Sequence, residues 1–147
     1  MIRMTPTLER LSRLPLFAGC DLRELAAVAS RSTTVHPRRG TILVREGTVG
    51  REVFIIVEGW ARVVRDGDPV ARLGPGDVCG EVAVLDHGLR TATVVADSDL
   101  VVEVCTKEEF IELLHVVPGL STRLLEQLSS RLRNAMTSVH GDGIGYS

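Results

Sequence analysis

Glycine placement constrains this chain more than any other feature. Nine of its fourteen glycines fall between Gly40 and Gly88, and they cut the middle of the chain into short β-branched runs. Thr41–Val44, Val53–Val57, Ala61–Val64 and Thr91–Val95 are such runs. Runs of this length are too short for helices and right for strands. Many short strands at near-regular spacing predict a sandwich or jelly roll between about Thr33 and Cys105. The turns agree. Arg65-Asp66-Gly67-Asp68-Pro69 carries a hairpin signal. Gly74-Pro75-Gly76-Asp77 reads as a tight turn, because proline fixes φ and glycine permits φ > 0.

Helical patterns flank this zone. From Thr7 to about Arg31, Leu8, Leu11 and Leu14 form one apolar face, and Pro15 is expected to end that helix. Asp21 is a candidate N-cap for a second helix, with Glu24 as its capping-box partner. Leu22, Leu25, Ala26, Val28 and Ala29 supply the apolar side. Beyond the strands, Lys107 to Leu114 reads as a short helix stopped before Pro118. A longer one runs from Gly119 to about Val139. Leu125, Leu128, Leu132, Ala135 and Val139 recur at spacings of three and four. That stripe suits either packing on its own domain or a partner helix, and Leu120 and Leu124 lie on another side. The glycine-rich residues 141–147 read as a disordered tail. The organisation expected is one domain over 1–140, with helices in 7–31, the β zone in 33–105 and helices in 107–139.

Composition narrows the function. A chain of 147 residues supports one core, and 44% hydrophobic with 24% charged residues is the balance of a soluble globular protein. Aromatics make up only 3%, so Val, Leu, Ile and Ala must build the interior. The formal net charge of −2 argues against a broad nucleic-acid surface. Arg31, Arg38, Arg39, Arg45 and Arg51 have no aromatic residues interleaved and read as a solvated face. Cys20, Cys79 and Cys105 are isolated and odd in number, which suits reduced thiols in the cytoplasm. No apolar run reaches membrane-spanning length, and no secretory signal opens the chain. His36, His87, His115 and His140 are scattered, so no metal site is expected. No nucleophile-elbow sequence is present, and the expectation is a protein that is not an enzyme.

The chemistry concentrates in Cys79-Gly80-Glu81-Val82-Ala83-Val84-Leu85 and Arg90-Thr91. A Gly-Glu step opens a short apolar helical turn, and an arginine follows nine residues after the glutamate. Amides at a helix start attract an anion, and here those of Val82, Ala83 and Val84 would face it. Arginine offers a planar fork to two phosphate oxygens. A carboxylate accepts hydrogen bonds from sugar hydroxyls. Taken singly, Gly80 is an ordinary turn glycine, Glu81 is favoured by the helix dipole, and Arg90 is a surface arginine. Together they suit a small ligand with one phosphate and one sugar. Thr91 places a hydroxyl next to Arg90, within reach of a phosphate oxygen or a purine edge.

With these residues, the chain resembles the cyclic-nucleotide-binding domain of bacterial catabolite activators, regulated kinases and gated channels. The likeness runs from about Leu11 to Val139. Outside the Gly80–Thr91 segment it includes Pro15-Leu16-Phe17, Gly40, Glu46-Gly47, Gly50, Phe54-Ile55-Ile56-Val57-Glu58-Gly59 and Gly74-Pro75-Gly76-Asp77. The resemblance implies a mainly β fold with flanking α-helices, an eight-stranded jelly-roll β-sandwich with N-terminal helices and a C-terminal helical lid. It implies that Gly80 and Glu81 hold a ribose 2′-hydroxyl. Amides near Ala83 and Val84 would meet the phosphate, Arg90 its exocyclic oxygens, and Thr91 a contacting position. Ala135 and Met136 fall where a lid over the base is expected. Cys79 stands where many members carry phenylalanine, and Leu89 where many carry proline. A threonine at position 91 accompanies cGMP in the kinase branch, whereas activators with a hydroxyl there bind cAMP. The expected ligand is cAMP, with cGMP as the alternative. The expected role is a stand-alone regulatory module. Movement of its C-terminal helices would reach a homodimer interface or a protein effector, with no nucleic acid and no membrane involved. The competing reading keeps the fold without ligand, as a protein–protein interaction module.

Overall fold

The structure is a computed structural model that describes residues 2–81 and 88–142, the last six of these by backbone alone. Helix α1 (Pro6–Ser12) opens under Thr5, whose hydroxyl accepts the Leu8 N–H at 3.2 Å. It ends at Ser12 rather than at Pro15. Proline instead opens a 3-10 turn, Pro15–Phe17, where its fixed φ and missing N–H suit a first helical position. Helix α2 (Leu22–Ser30) carries the expected capping box: the Asp21 carboxylate accepts the Glu24 N–H at 2.8 Å, and the Glu24 carboxylate accepts the Asp21 N–H at 2.9 Å.

Eight strands follow: β1 (Thr33–Val35), β2 (Ile42–Val44), β3 (Glu52–Glu58), β4 (Ala61–Arg65), β5 (Asp68–Leu73), β6 (Val78–Cys79), β7 (Thr93–Ala96) and β8 (Val101–Thr106). They form two four-stranded antiparallel sheets, ordered β1-β8-β3-β6 and β2-β7-β4-β5. Strand β3 shows why the glycine-bounded run Val53–Val57 is apolar throughout. Its successive side chains face opposite ways, and both sides are covered. Val53, Ile55 and Val57 join the helices in one cluster, while Phe54 and Ile56 meet Val44, Val94 and Ala96 between the sheets. The layers are therefore helices, first sheet and second sheet. The β4–β5 hairpin turns on Asp66 (φ +50°) and Gly67 (φ +83°), both left-handed, as a tight two-residue turn requires.

Helix α3 (Lys107–Val116) starts on a second capping box, Thr106 with Glu109. Helix α4 (Leu120–Asp142) presents two apolar faces. Leu120 and Leu124 are buried in the helical cluster, with Leu128 packed against it. Leu125 (63% exposed), Leu132 (52%) and Met136 (56%) lie open. The stripe read from the sequence thus splits, with Leu128 turned inward. The tail assignment is corrected at 141–142. The helix continues through Asp142, since each added residue gains a helical bond and a single glycine costs only about 1 kcal/mol. Residues 143–147 lie outside those described. Among the described residues, no helix is long and apolar enough to cross a membrane.

Candidate functional site

Strand β6 ends at Cys79, and the chain turns at Gly80 with φ +88°. A side chain is barred there twice over. The left-handed conformation is strained for it, and a Cβ would lie 2.4 Å from Arg90 Nη1 and 2.9 Å from the Glu52 carbonyl oxygen. Gly80 is the space into which Arg90 folds.

Arg90 is 7% exposed. Its backbone is gripped by the loop between β2 and β3: Arg90 N–H donates to the Thr48 carbonyl at 2.7 Å, and Gly47 N–H donates to the Arg90 carbonyl at 2.8 Å. Its guanidinium donates from Nη1 to the Gly80 carbonyl at 2.8 Å and from Nη2 to the Glu52 carbonyl at 2.9 Å. One side chain thereby ties the residue after β6 to the start of β3. Burial pushes its pKa down, while Cys79, Glu52 and Glu81 push it back up. Guanidinium stays charged in proteins, so a cation is fixed here. It borders an open cleft of about 310 Å³ whose walls include Ile42, Val44, Arg45, Arg51 and Phe54. That volume is at the small end of the range for small-ligand sites, ~300–1,000 Å³.

Glu81 is 3% exposed. Burial raises its pKa, against the pull of Arg131 and Arg90. Its Oε1 accepts from Arg131 Nη1 at 3.2 Å, while among the described residues Oε2 has no partner. Arg131 reaches in from α4, with Nη2 donating to the Val78 carbonyl at 2.6 Å and to Gln127 Oε1 at 2.6 Å. Gln127 itself accepts the Val78 N–H at 2.8 Å and donates to the Gly76 carbonyl at 2.9 Å. Sequence reasoning missed both residues. Their signal was a polar pair at spacing four, next to the inward-facing positions 124 and 128, where an amphipathic helix should be apolar.

The structure therefore brings Gly80, Glu81 and Arg90 together. Thr91 follows Arg90 and is exposed, its carbonyl accepting from Arg65 Nε at 3.3 Å. Val82, Ala83 and Val84 lie outside the described residues. Ala135 is half-buried and Met136 exposed, and it is Arg131, one turn earlier, that meets Glu81. Cys79 is buried, and its thiol pKa is pushed up to about 12 by that burial, so it stays protonated at neutral pH. Among the described residues, no three His, Cys, Asp or Glu side chains gather as metal ligands.

Comparison with known proteins bears on this arrangement. The acetyltransferase Pat of Mycolicibacterium smegmatis is 32% identical over 133 residues, covering 88% of this chain and 40% of that protein. The cAMP-dependent protein kinase regulatory subunit of Schizosaccharomyces pombe is 31% identical over 133 residues, covering 90% of this chain and 31% of that protein. The chain thus spans well under half the length of either relative. Among solved structures, a cyclic nucleotide-binding domain from Methylobacillus flagellatus superposes with a TM-score of 0.78 at 25% identity, covering 95% of this chain and 84% of that one. Residues 34–116 match the family described as cyclic nucleotide-binding domain. A match that begins inside β1 and ends with the last residue of α3 takes in both sheets, and by it the chain belongs to the cyclic nucleotide-binding domain family.

Proposed function

We propose that this chain is a regulatory module that binds cAMP, with cGMP the weaker alternative, and is not itself an enzyme. The observation that carries the reading is Arg90: a buried guanidinium fixed against Gly80 at the edge of an open cleft, with the buried Glu81 carboxylate following Gly80 in the chain. A cyclic phosphodiester carries one negative charge, which Arg90 meets with the donors its two backbone bonds leave spare. Glu81 accepts from the ribose 2′-hydroxyl, and the amides of 82–84 and the Thr91 hydroxyl complete the cradle. Ala135 and Met136 close over the base. Binding changes how α4 docks, and the open leucines Leu125 and Leu132 carry that change to a second copy or to a protein effector. No nucleic acid, metal or membrane takes part. Three free thiols agree with a cytoplasmic setting.

Isothermal titration with cAMP and cGMP tests this. A charge-assisted bond contributes about 1.5–3 kcal/mol, so Arg90→Leu should weaken cAMP about ten- to a hundredfold. Arg90→Lys, which keeps the charge but not the fork, should fall between. Because Arg90 also ties two backbone segments, the melting temperature is measured alongside. Unchanged affinity in a folded Arg90→Leu protein would sink the assignment. A second reading, a ligand-free interaction module, draws on one fact: Arg90 and Glu81 are both engaged by the protein's own groups. Titration separates the two, since that module takes up neither nucleotide.

A further inference from the structure

We infer that Gln127 is a positioning residue for the site: its side-chain amide stands in for a neighbouring strand on the outer edge of β6 and holds the register that lets Arg90 seat on Gly80. The inference rests on the cyclic-nucleotide reading and adds to it the residue that sets the cradle's geometry. Strand β6 is two residues long and ends the sheet order β1-β8-β3-β6, with β3 as its neighbour. So short a strand has little register of its own. The backbone groups on its other edge need partners from outside the sheet. Val78 and Gly76 are buried, so water is a poor substitute.

Gln127 supplies both kinds of partner at once. Its Oε1 accepts the Val78 N–H at 2.8 Å, and its Nε2 donates to the Gly76 carbonyl at 2.9 Å. A donor and an acceptor two residues apart are what one residue of a parallel strand meets across a ladder. The chemistry selects this side chain in this orientation. Oε1 faces two donors, the Val78 N–H and Arg131 Nη2 at 2.6 Å, while Nε2 faces an acceptor. An amide oxygen has two lone pairs and its nitrogen two protons; an ionised glutamate lacks the donor, lysine the acceptor and leucine both. From the inner side β3 holds the same segment, with Gly76 N–H donating to the Ile56 carbonyl at 2.8 Å and Ile56 N–H to the Asp77 carbonyl at 2.9 Å. Two residues beyond Val78 comes Gly80. Arg90 reaches the Gly80 carbonyl with one nitrogen and the Glu52 carbonyl, at the start of β3, with the other. One guanidinium spans those two carbonyls only while Val78 stays opposite Ile55 and Cys79 opposite Phe54. The clamp on β6 is therefore a clamp on the cation that meets the phosphate.

Two measurements test this. Thermal unfolding without nucleotide, on Gln127→Leu, Arg90→Leu and the double variant, closes a cycle. Gln127→Leu should lower the melting temperature by about 5 °C, and by clearly less in the Arg90→Leu background, where no guanidinium is left to seat. Gln127→Glu keeps the acceptor and repeats the cycle in a milder form. Arg123→Met is the control on the same helix: it frees α4 from the Leu16 carbonyl, which Arg123 Nε meets at 2.6 Å, and its loss should be equal in both backgrounds. Titration with cAMP then reads the site. A ligand takes only molecules with β6 in register, so cutting that fraction to about one tenth weakens the apparent affinity about tenfold. Gln127→Leu and Gln127→Glu should both weaken cAMP by that order, and Arg123→Met should bind as the parent does. Equal losses for Gln127→Leu in the two backgrounds, coupling as large for Arg123→Met, or parental affinity in a folded Gln127→Glu protein overturns the assignment. Coupling in the cycle, with neither cAMP nor cGMP taken up by the unmodified chain, upholds Gln127 as the residue that positions Arg90 and sinks the nucleotide reading alone.

Discussion

Adding one methyl group at Gly80 tests the geometry of the site without any ligand. Alanine there must hold φ +88°, a left-handed conformation that costs an L-residue about 1–2 kcal/mol. Its Cβ would also sit 2.4 Å from Arg90 Nη1 and 2.9 Å from the Glu52 carbonyl. The guanidinium must therefore leave the carbonyls of Gly80 and Glu52, forfeiting two hydrogen bonds to a charged group. Allowing for water taking part of their place, about 1 kcal/mol each is lost net. The sum is about 3–4 kcal/mol, which at ~2–4 °C per kcal/mol for a domain of this size lowers the melting temperature by about 10 °C. Gly67→Ala is the matched control. Gly67 has φ +83° with nothing within 4 Å of the added Cβ, so it pays the backbone cost alone. Thermal unfolding by circular dichroism measures both. Repeating Gly80→Ala in an Arg90→Leu background closes a double-mutant cycle, and the Arg90-dependent share of the penalty should disappear. Equal losses for Gly80→Ala and Gly67→Ala, or a penalty unchanged by Arg90→Leu, would refute the account of Gly80 as the seat of the arginine.

Three further outcomes are expected. Glu81→Gln should be at least as stable as the parent at pH 7, because burial raises the native pKa above the unfolded ~4.3 and makes the ionised form a net cost. That advantage should shrink as pH falls through the raised value toward ~4.3, where native Glu81 takes up its proton; urea unfolding at pH 7 and pH 5 measures it, and a clear loss at pH 7 contradicts it. Asp21→Ala removes one half of a capping box and should cost about 1 kcal/mol in the same assay, with nucleotide affinity unchanged because α2 stands away from the cleft. Alkylation followed by mass spectrometry should find Cys20 labelled first in the native protein, since it is half-buried, whereas Cys79 and Cys105 are buried with thiol pKa values pushed up to about 12.

The fold was legible because its devices are local. Asp21 and Glu24 cap α2 from three residues apart, Asp66 and Gly67 turn a hairpin between neighbouring strands, and the run Val53–Val57 announces a strand covered on both faces. Each is a rule about residues close in sequence, so one sequence suffices to read it. Gly80, Glu81 and Arg90 were legible for a similar reason, since all three sit within one short segment. What the sequence could not disclose is what those residues do to one another and to the rest of the chain. Its sequence context offers Arg90 to a phosphate, yet two of its donors are spent on the carbonyls of Gly80 and Glu52, 38 residues away along the chain in the latter case. Arg131 is separated from Glu81 by 50 residues, and its position on a helix with exposed leucines marks it as an ordinary surface charge. Only the docking of α4 through Leu120 and Leu124 swings that edge onto β6. Apolar packing thus decides where α4 lies, and the polar row 123, 127 and 131 decides what it touches there.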